Sequence, residues 1–176
     1  YLDSGHSLDM INKAIEALDR TQWANAEPIF ASLVPRLTDA TRMEERSQWR
    51  QPIDVAGMLF DAFEELDDAA AEGAEVRSER RETADGRDGW RWTPDDELRE
   101  TLLADESQTI VDALLAAVRD GAEPSDLAAP VVDAAATRVA RFGTSNEFGD
   151  WNTVHHTFTY ANAVREAALR TEAQAL

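Results

Sequence analysis

Apolar residues recur at three- and four-residue intervals through this chain, and no stretch alternates apolar with polar residues. Because an α-helix has about 3.6 residues per turn, this spacing gathers apolar side chains on one helix face. The pattern is clear from Leu8 to Leu18 and clearest in a second series: Ile53, Ala56, Phe60, Phe63, Leu66 and Ala70. The sequence therefore predicts an all-α fold, a single bundle-like domain of about seven or eight helices over residues 1–176.

Prolines, glycines and capping residues set the predicted helix boundaries. The predicted helices run from Ser7 to about Arg20, after Thr21, around Arg42–Trp49, from Pro52 to Gly73, from Pro94 to Ala104, from about Ser107 to Arg119, from Pro124 to Phe142 and from near Asn152 toward Gln174. The expected core of the second helix comprises Trp23, Ile29, Phe30, Leu33 and Leu37. Residues 73–93 are polar and contain three glycines, which predicts a long loop that Trp90 and Trp92 pin to the body.

The chain is strongly acidic, with 35 Asp and Glu against 17 Lys and Arg and a formal charge of −18. Phosphate contacts need clustered cationic side chains, so this balance argues against nucleic-acid binding. Together with the scarcity of lysine, it indicates either a cytoplasmic protein from a high-salt organism or an ordinary acidic protein of a GC-rich genome. Residues 61–106 hold 17 acids and 6 bases, and this excess is either a solvated surface or a docking face for a basic partner.

Composition and missing motifs exclude several chemistries. Without cysteine, the chain forms no disulfide, binds no zinc through thiolates, ligates no iron–sulfur cluster by itself and has no thiol nucleophile. No apolar run approaches the length of a membrane span, and no secretion leader is visible at the start. The sequence also lacks the phosphate-binding GxxxxGK loop, the dinucleotide-binding GxGxxG loop, HExxH, GxSxG and the Glu-x-x-His pair of di-iron bundles.

The three histidines are the strongest candidates for a functional site. His6 precedes the first predicted helix, and His155 and His156 lie in the last one. Adjacent helical residues point about 100° apart, so His155 joins a polar stripe whereas His156 lies beside Tyr160 at the border of the apolar face. Neutral imidazole is a common metal ligand and an acid–base group near neutral pH. We therefore predict His6, His155 and His156 as transition-metal ligands and Tyr160 as a catalytic residue.

A metal site here would need ligands from separate segments of the chain. His6 joins His156 if the first and last helices pack together, and Asp9 and Asp54 are candidate oxygen ligands. The structural alternative is a border contact in which His156 hydrogen-bonds a carbonyl or carboxylate while Tyr160 packs. Residue spacing leaves both interpretations open.

Two histidine-containing regions of the chain carry a resemblance to a known family. They are Gly5–Ala14 and a second region that combines Asp126–Ala128, Asp133–Ala136, Arg138, Asp150, Trp151 and His156–Arg165. Together they resemble the helical region of questin-oxidase-like proteins, of halophilic archaeal and bacterial type, that also carry a Rieske [2Fe–2S] domain. The resemblance covers both ends of the chain and implies a helical segment or subunit of a larger redox protein. Its Rieske-type cluster would lie outside these residues or in a partner, since Rieske centres need cysteine.

Three functions follow as hypotheses. The first is a helical domain of an oxidoreductase system that binds a metal or a small organic substrate near the two histidine-containing segments. The second is a non-catalytic interaction module with an acidic docking face. The third is an acidic mimic of nucleic acid. Two observations argue against it: the acidic residues cluster in one part of the chain, and the apolar content is sufficient for a compact bundle.

Overall fold

The computed structural model describes residues 5–41, 53–83 and 89–175, with side chains described as far as Thr171. Within these residues it contains seven α-helices and no strand, which confirms the all-α prediction. The helices are α1 (His6–Arg20), α2 (Ala26–Thr38), α3 (Val55–Thr83), α4 (Asp96–Leu102), α5 (Ser107–Arg119), α6 (Pro124–Arg141) and α7 (Phe148–Ala175). The predicted helix around 42–49 and the predicted start at Pro52 lie outside the described residues. None of the described helices combines the length and apolarity needed to cross a membrane.

The chain divides into two compact units. The terminal unit comprises Tyr1–Ser47 and Ala135–Leu176, and it holds α1, α2, the end of α6 and α7. The central unit comprises Gln48–Ala134, and it holds α3, α4, α5 and the start of α6. Each unit has its own packing, and the candidate histidines all belong to the terminal unit.

The core of the central unit forms around Trp92. This side chain is 8% exposed and packs with Leu98 and Leu102 of α4, Ala117 of α5, and Ala122. Trp90 packs against the same cluster, and its ring also stacks on the guanidinium of Arg80, 4.9 Å from the ring centroid. The prediction that the two tryptophans pin their segment to the body is therefore confirmed.

Helix α3 continues well beyond Gly73, where the sequence predicted its end. A Cβ on Gly73 would lie 3.1 Å from the carbonyl carbon of Val118 in α5 and closer still to its oxygen. Glycine stands here because two helix backbones approach each other, not because the chain needs a left-handed C-cap. The predicted long polar loop is therefore wrong over residues 73–83, which are helical.

Helix α3 also buries a different face from the one that its apolar pattern predicted. Ala69 is fully buried, whereas Phe60, Phe63 and Leu66 are 52%, 59% and 38% exposed. Residues 69 and 60 point about 180° apart on a helical wheel. The small residues face α5 because they allow close backbone approach, and the aromatic stripe is left on the opposite side.

The predicted core of α2 is likewise wrong. No residue of α2 is buried, and Phe30 and Leu37 are 39% and 43% exposed. Gln22 and Trp23 adopt positive φ in a tight turn after α1. There the Trp23 indole donates to Asp19 Oδ1 at 3.0 Å, and its ring lies 6.0 Å from that of Phe30. Local contacts within the α1–α2 hairpin therefore replace the predicted burial.

Candidate histidine site

A polar seam joins the first and last helices of the terminal unit. On each helix one stripe repeats at four- and three-residue steps, which places its members on a single face. The α1 stripe is Gly5, Asp9, Asn12 and Glu16, and the α7 stripe is His156, Tyr160, Ala163, Ala167 and Arg170. Gly5 contacts Tyr160, and Arg170 Nη1 donates to Asn12 Oδ1 further along both helices. The two helices therefore run in the same direction, side by side. We call this contact the α1–α7 seam.

His6 and His156 meet at the start of the seam. Their ring centroids are 4.5 Å apart with an interplanar angle of 83°, so the edge of one imidazole faces the plane of the other. Both side chains are half-buried. The sequence analysis placed His6 beside His156 only if the first and last helices pack together. In the structure α1 and α7 do pack together. Whether they hold a metal stays a prediction.

Tyr160 lies one helical turn after His156 and packs on the backbone of Gly5. A Cβ on Gly5 would lie 2.6 Å from Tyr160 Cγ and 2.8 Å from Tyr160 Cβ. Gly5 also has φ of +84°, in the left-handed region, and it is the N-cap residue of α1. Helix α1 therefore begins at His6, one residue before the predicted start at Ser7. Because residue 5 has no side chain, the Tyr160 ring packs directly on the backbone at the start of α1, beside His6.

Replacing Gly5 by Ala tests this close contact. We expect a loss of about 2 kcal/mol in the free energy of unfolding, since left-handed backbone strain adds to displacement of the Tyr160 ring. Urea denaturation followed by far-UV circular dichroism measures the change. Gly143→Ala is the matched control, because a Cβ there meets nothing closer than 3.6 Å. Equal stability of the two variants would contradict the packing of Tyr160 on Gly5.

Two buried oxygens near this end of α1 have no hydrogen-bond partner among the described residues. They are Ser7 Oγ and Asp9 Oδ1. Asp9 belongs to the seam stripe and follows His6 by three residues, whereas Ser7 points about 160° away from Asp9. Asp54, the other oxygen ligand considered, belongs to the central unit and accepts a 2.9 Å hydrogen bond from the Gly57 backbone at the start of α3. Of these two carboxylates, Asp9 is therefore the one that lies on the α1 face that forms the seam.

The far end of the seam holds a hydrogen-bonded network that the sequence did not predict. Asn12, which is 2% exposed, accepts from Arg170 and donates to Glu16 Oε1 at 3.0 Å. Lys13 also donates to Glu16 at 3.2 Å, and this hydrogen bond lowers the pKa of the Glu16 carboxyl. The signal available in the sequence was an asparagine at helical spacing from Gly5 and Asp9, on what became the seam face of α1. Local spacing does not identify its partner, Arg170, because that residue is 158 positions away in the sequence.

His155 points away from the pair. Its side chain is exposed, and its ring centroid lies 5.6 Å from that of Trp151. Trp151 is half-buried, and its ring meets that of Phe142 edge to face with the centroids 4.9 Å apart. Within the described residues no three or more His, Asp or Glu side chains are gathered as a ready metal site. The structure thus brings together two of the three predicted ligands and places the third on another side of α7.

Comparisons with known proteins find no match for this chain. No family model matches the chain, and no curated protein or solved structure matches it either.

Proposed function

We propose that the α1–α7 seam binds a first-row transition metal through the imidazoles of His6 and His156, as part of an oxidoreductase system. The observation that carries the proposal is the 4.5 Å separation of the two ring centroids, with Asp9 three residues after His6 on α1 and its buried Oδ1 without a hydrogen-bond partner among the described residues. Two histidines and one carboxylate form a donor set that suits non-haem iron(II) and related divalent metals.

The unpaired carboxylate oxygen is the electrostatic reason for a cation at this place. A buried carboxylate oxygen loses its hydration, and this loss is unfavourable unless a donor or a cation replaces the water. A metal held by the two imidazoles would supply that partner once the Asp9 side chain turns toward it. A metal bound in this way would leave coordination positions for water or for a small organic substrate.

The contacts on either side favour a fixed geometry for such a site. Tyr160 packs on Gly5 directly beside His6, and the Arg170–Asn12 hydrogen bond holds the two helices together further along. Ligands carried by helices that are fixed in this way keep their relative positions, which metal binding requires. In the proposal, Tyr160, one helical turn after His156, would serve as the acid–base group.

The link to redox chemistry comes from the resemblance to the helical region that accompanies Rieske domains. Since the chain has no cysteine, a Rieske-type domain or subunit would be the partner that supplies electrons. The metal in the seam would then activate the substrate, and the partner would deliver reducing equivalents.

Titration of the chain with zinc and with iron(II), by calorimetry and by elemental analysis after dialysis, tests the proposal. We expect near-stoichiometric binding, at least about 100-fold weaker binding for His156→Ala and His6→Ala, and about 10- to 100-fold weaker binding for Asp9→Asn. His155→Ala is the matched control, because it removes a histidine from the same helix without touching the pair. Circular dichroism verifies that each variant is folded.

Absence of metal binding by the unmodified chain would overturn the proposal. Equal loss for His155→Ala and His156→Ala would also overturn it, since binding would then depend on accessible imidazoles and not on the seam.

A further inference from the structure

The outward face of α3 combines apolar exposure with a dense local negative charge. Phe60 and Phe63 lie about one turn apart, and both are more than half exposed. A phenylalanine buries roughly 150–250 Å² in a core, so these two rings leave about 200 Å² of aromatic surface in water. Phe60 points about 180° away from Ala69, which is buried together with Gly73 on the side that packs on α5. α3 therefore keeps this surface outward while its other side is already occupied.

Acidic side chains follow the edge of the same stripe. Among the described residues, those that line an open groove here are one cation, Arg119, and five carboxylates: Asp61, Glu64, Glu65, Asp68 and Glu72. Arg119 is bound at 2.6 Å by Glu65 and lies 3.6 Å from Glu72, and the hydrogen bond to Glu65 raises the pKa of its guanidinium. One guanidinium does not neutralise five carboxylates. The groove therefore keeps a net negative charge, and it begins on the helix surface beside the exposed ring of Phe60.

We propose that this face of α3 is the docking surface for a basic amphipathic helix of a partner protein. The partner's apolar side chains would cover Phe60 and Phe63, and its Arg or Lys residues would reach the carboxylates of the groove. Charge complementarity selects this occupant over a second copy of the chain. Each copy carries −18 and would present the same acidic groove to the other. This surface belongs to the central unit and is independent of the histidine pair.

A synthetic amphipathic peptide with leucine on one face and arginine on the other serves as the probe, and fluorescence anisotropy measures its binding. We expect Phe60→Ala combined with Phe63→Ala to weaken binding at least tenfold while leaving the peptide's electrostatic attraction in place. We expect neutralisation of three groove residues to weaken binding about tenfold and to reduce its dependence on salt. These three changes are Asp61→Asn, Glu64→Gln and Asp68→Asn.

Removal of three acidic charges from α4 is the matched control, by Asp96→Asn, Glu97→Gln and Glu100→Gln. It keeps the total charge of the groove variant, and we expect less than a threefold change in peptide affinity. Equal weakening by the control and the groove variant would overturn the proposal, because general charge attraction would then explain binding. Peptide affinity unaffected by the paired phenylalanine changes would overturn it as well. Light scattering tests the remaining alternative. If the unmodified chain is a dimer and the paired phenylalanine changes dissociate it, the proposal is overturned, since the occupant would then be a second copy.

Discussion

Replacing Trp92 by Ala is expected to lower the free energy of unfolding of the central unit by about 3–5 kcal/mol. The side chain is 8% exposed and is the largest member of the buried cluster that joins α4, α5 and the segment before α4. Its removal forfeits the transfer free energy of the indole and leaves a cavity that Leu98, Leu102 and Ala117 cannot fill. Because domains are stable by only about 5–15 kcal/mol, this one change removes a large part of the total.

Urea denaturation followed by far-UV circular dichroism measures this loss, and amide hydrogen exchange assigns it to the central unit. Trp23→Ala is the control, since Trp23 is 49% exposed and belongs to the terminal unit. We expect the control to lose about 1 kcal/mol. Similar losses for both variants, or protection lost in the terminal unit only, would contradict the described core.

Replacing Gly73 by Ala should destabilise the central unit by about 2–3 kcal/mol, although alanine is the better helix former. Intrinsic propensity favours the substitution by about 1 kcal/mol. Against this, the new Cβ would overlap the carbonyl oxygen of Val118, which is a backbone atom of α5 and cannot rotate away. Separating the helices would also disturb the adjacent contacts of Ala69 and the ion pairs of Arg119. Overpacking therefore outweighs propensity.

Gly89→Ala provides the comparison for Gly73→Ala, because a Cβ at residue 89 meets no atom within 4 Å. The control should stay within about 0.5 kcal/mol of the unmodified chain in urea denaturation. A stabilised Gly73→Ala variant would mean that α3 and α5 do not approach closely at this point. It would restore the interpretation of Gly73 as a helix end.

Most helix positions were predictable from local pattern. The predicted Ser107–Arg119 helix agrees with α5, and the predicted Pro124–Phe142 helix agrees with α6 to within one residue at its end. The predicted helix near Asn152 begins four residues earlier, at Phe148. Spacing and caps are local, so they determine where helices form. They do not determine which neighbour a helix meets, and this is why the stripe of Phe60 and Phe63 was assigned to a core that α3 instead builds from small residues.

Part of the candidate site was predictable for the same reason. The 100° step between adjacent helical residues separated His155 from His156 and placed Tyr160 with His156, and the structure keeps that arrangement. The pairing of His6 with His156 was stated only as a condition, since it depends on how α1 and α7 pack. The Asn12–Arg170 hydrogen bond was not predicted at all, because no local rule links residues so far apart.

The sequence by itself determined the helical class, the boundaries of most helices and the absence of thiol chemistry, because these depend on residue type and short-range spacing. Only the tertiary structure decided which helix faces are buried. Close approach of α3 to α5 required Gly73 and Ala69 on the inner side and left the aromatic stripe outside. Parallel packing of α1 on α7, made close by Gly5, brought His6 against His156. In both cases the distance between two backbones, which local spacing does not specify, selected the face.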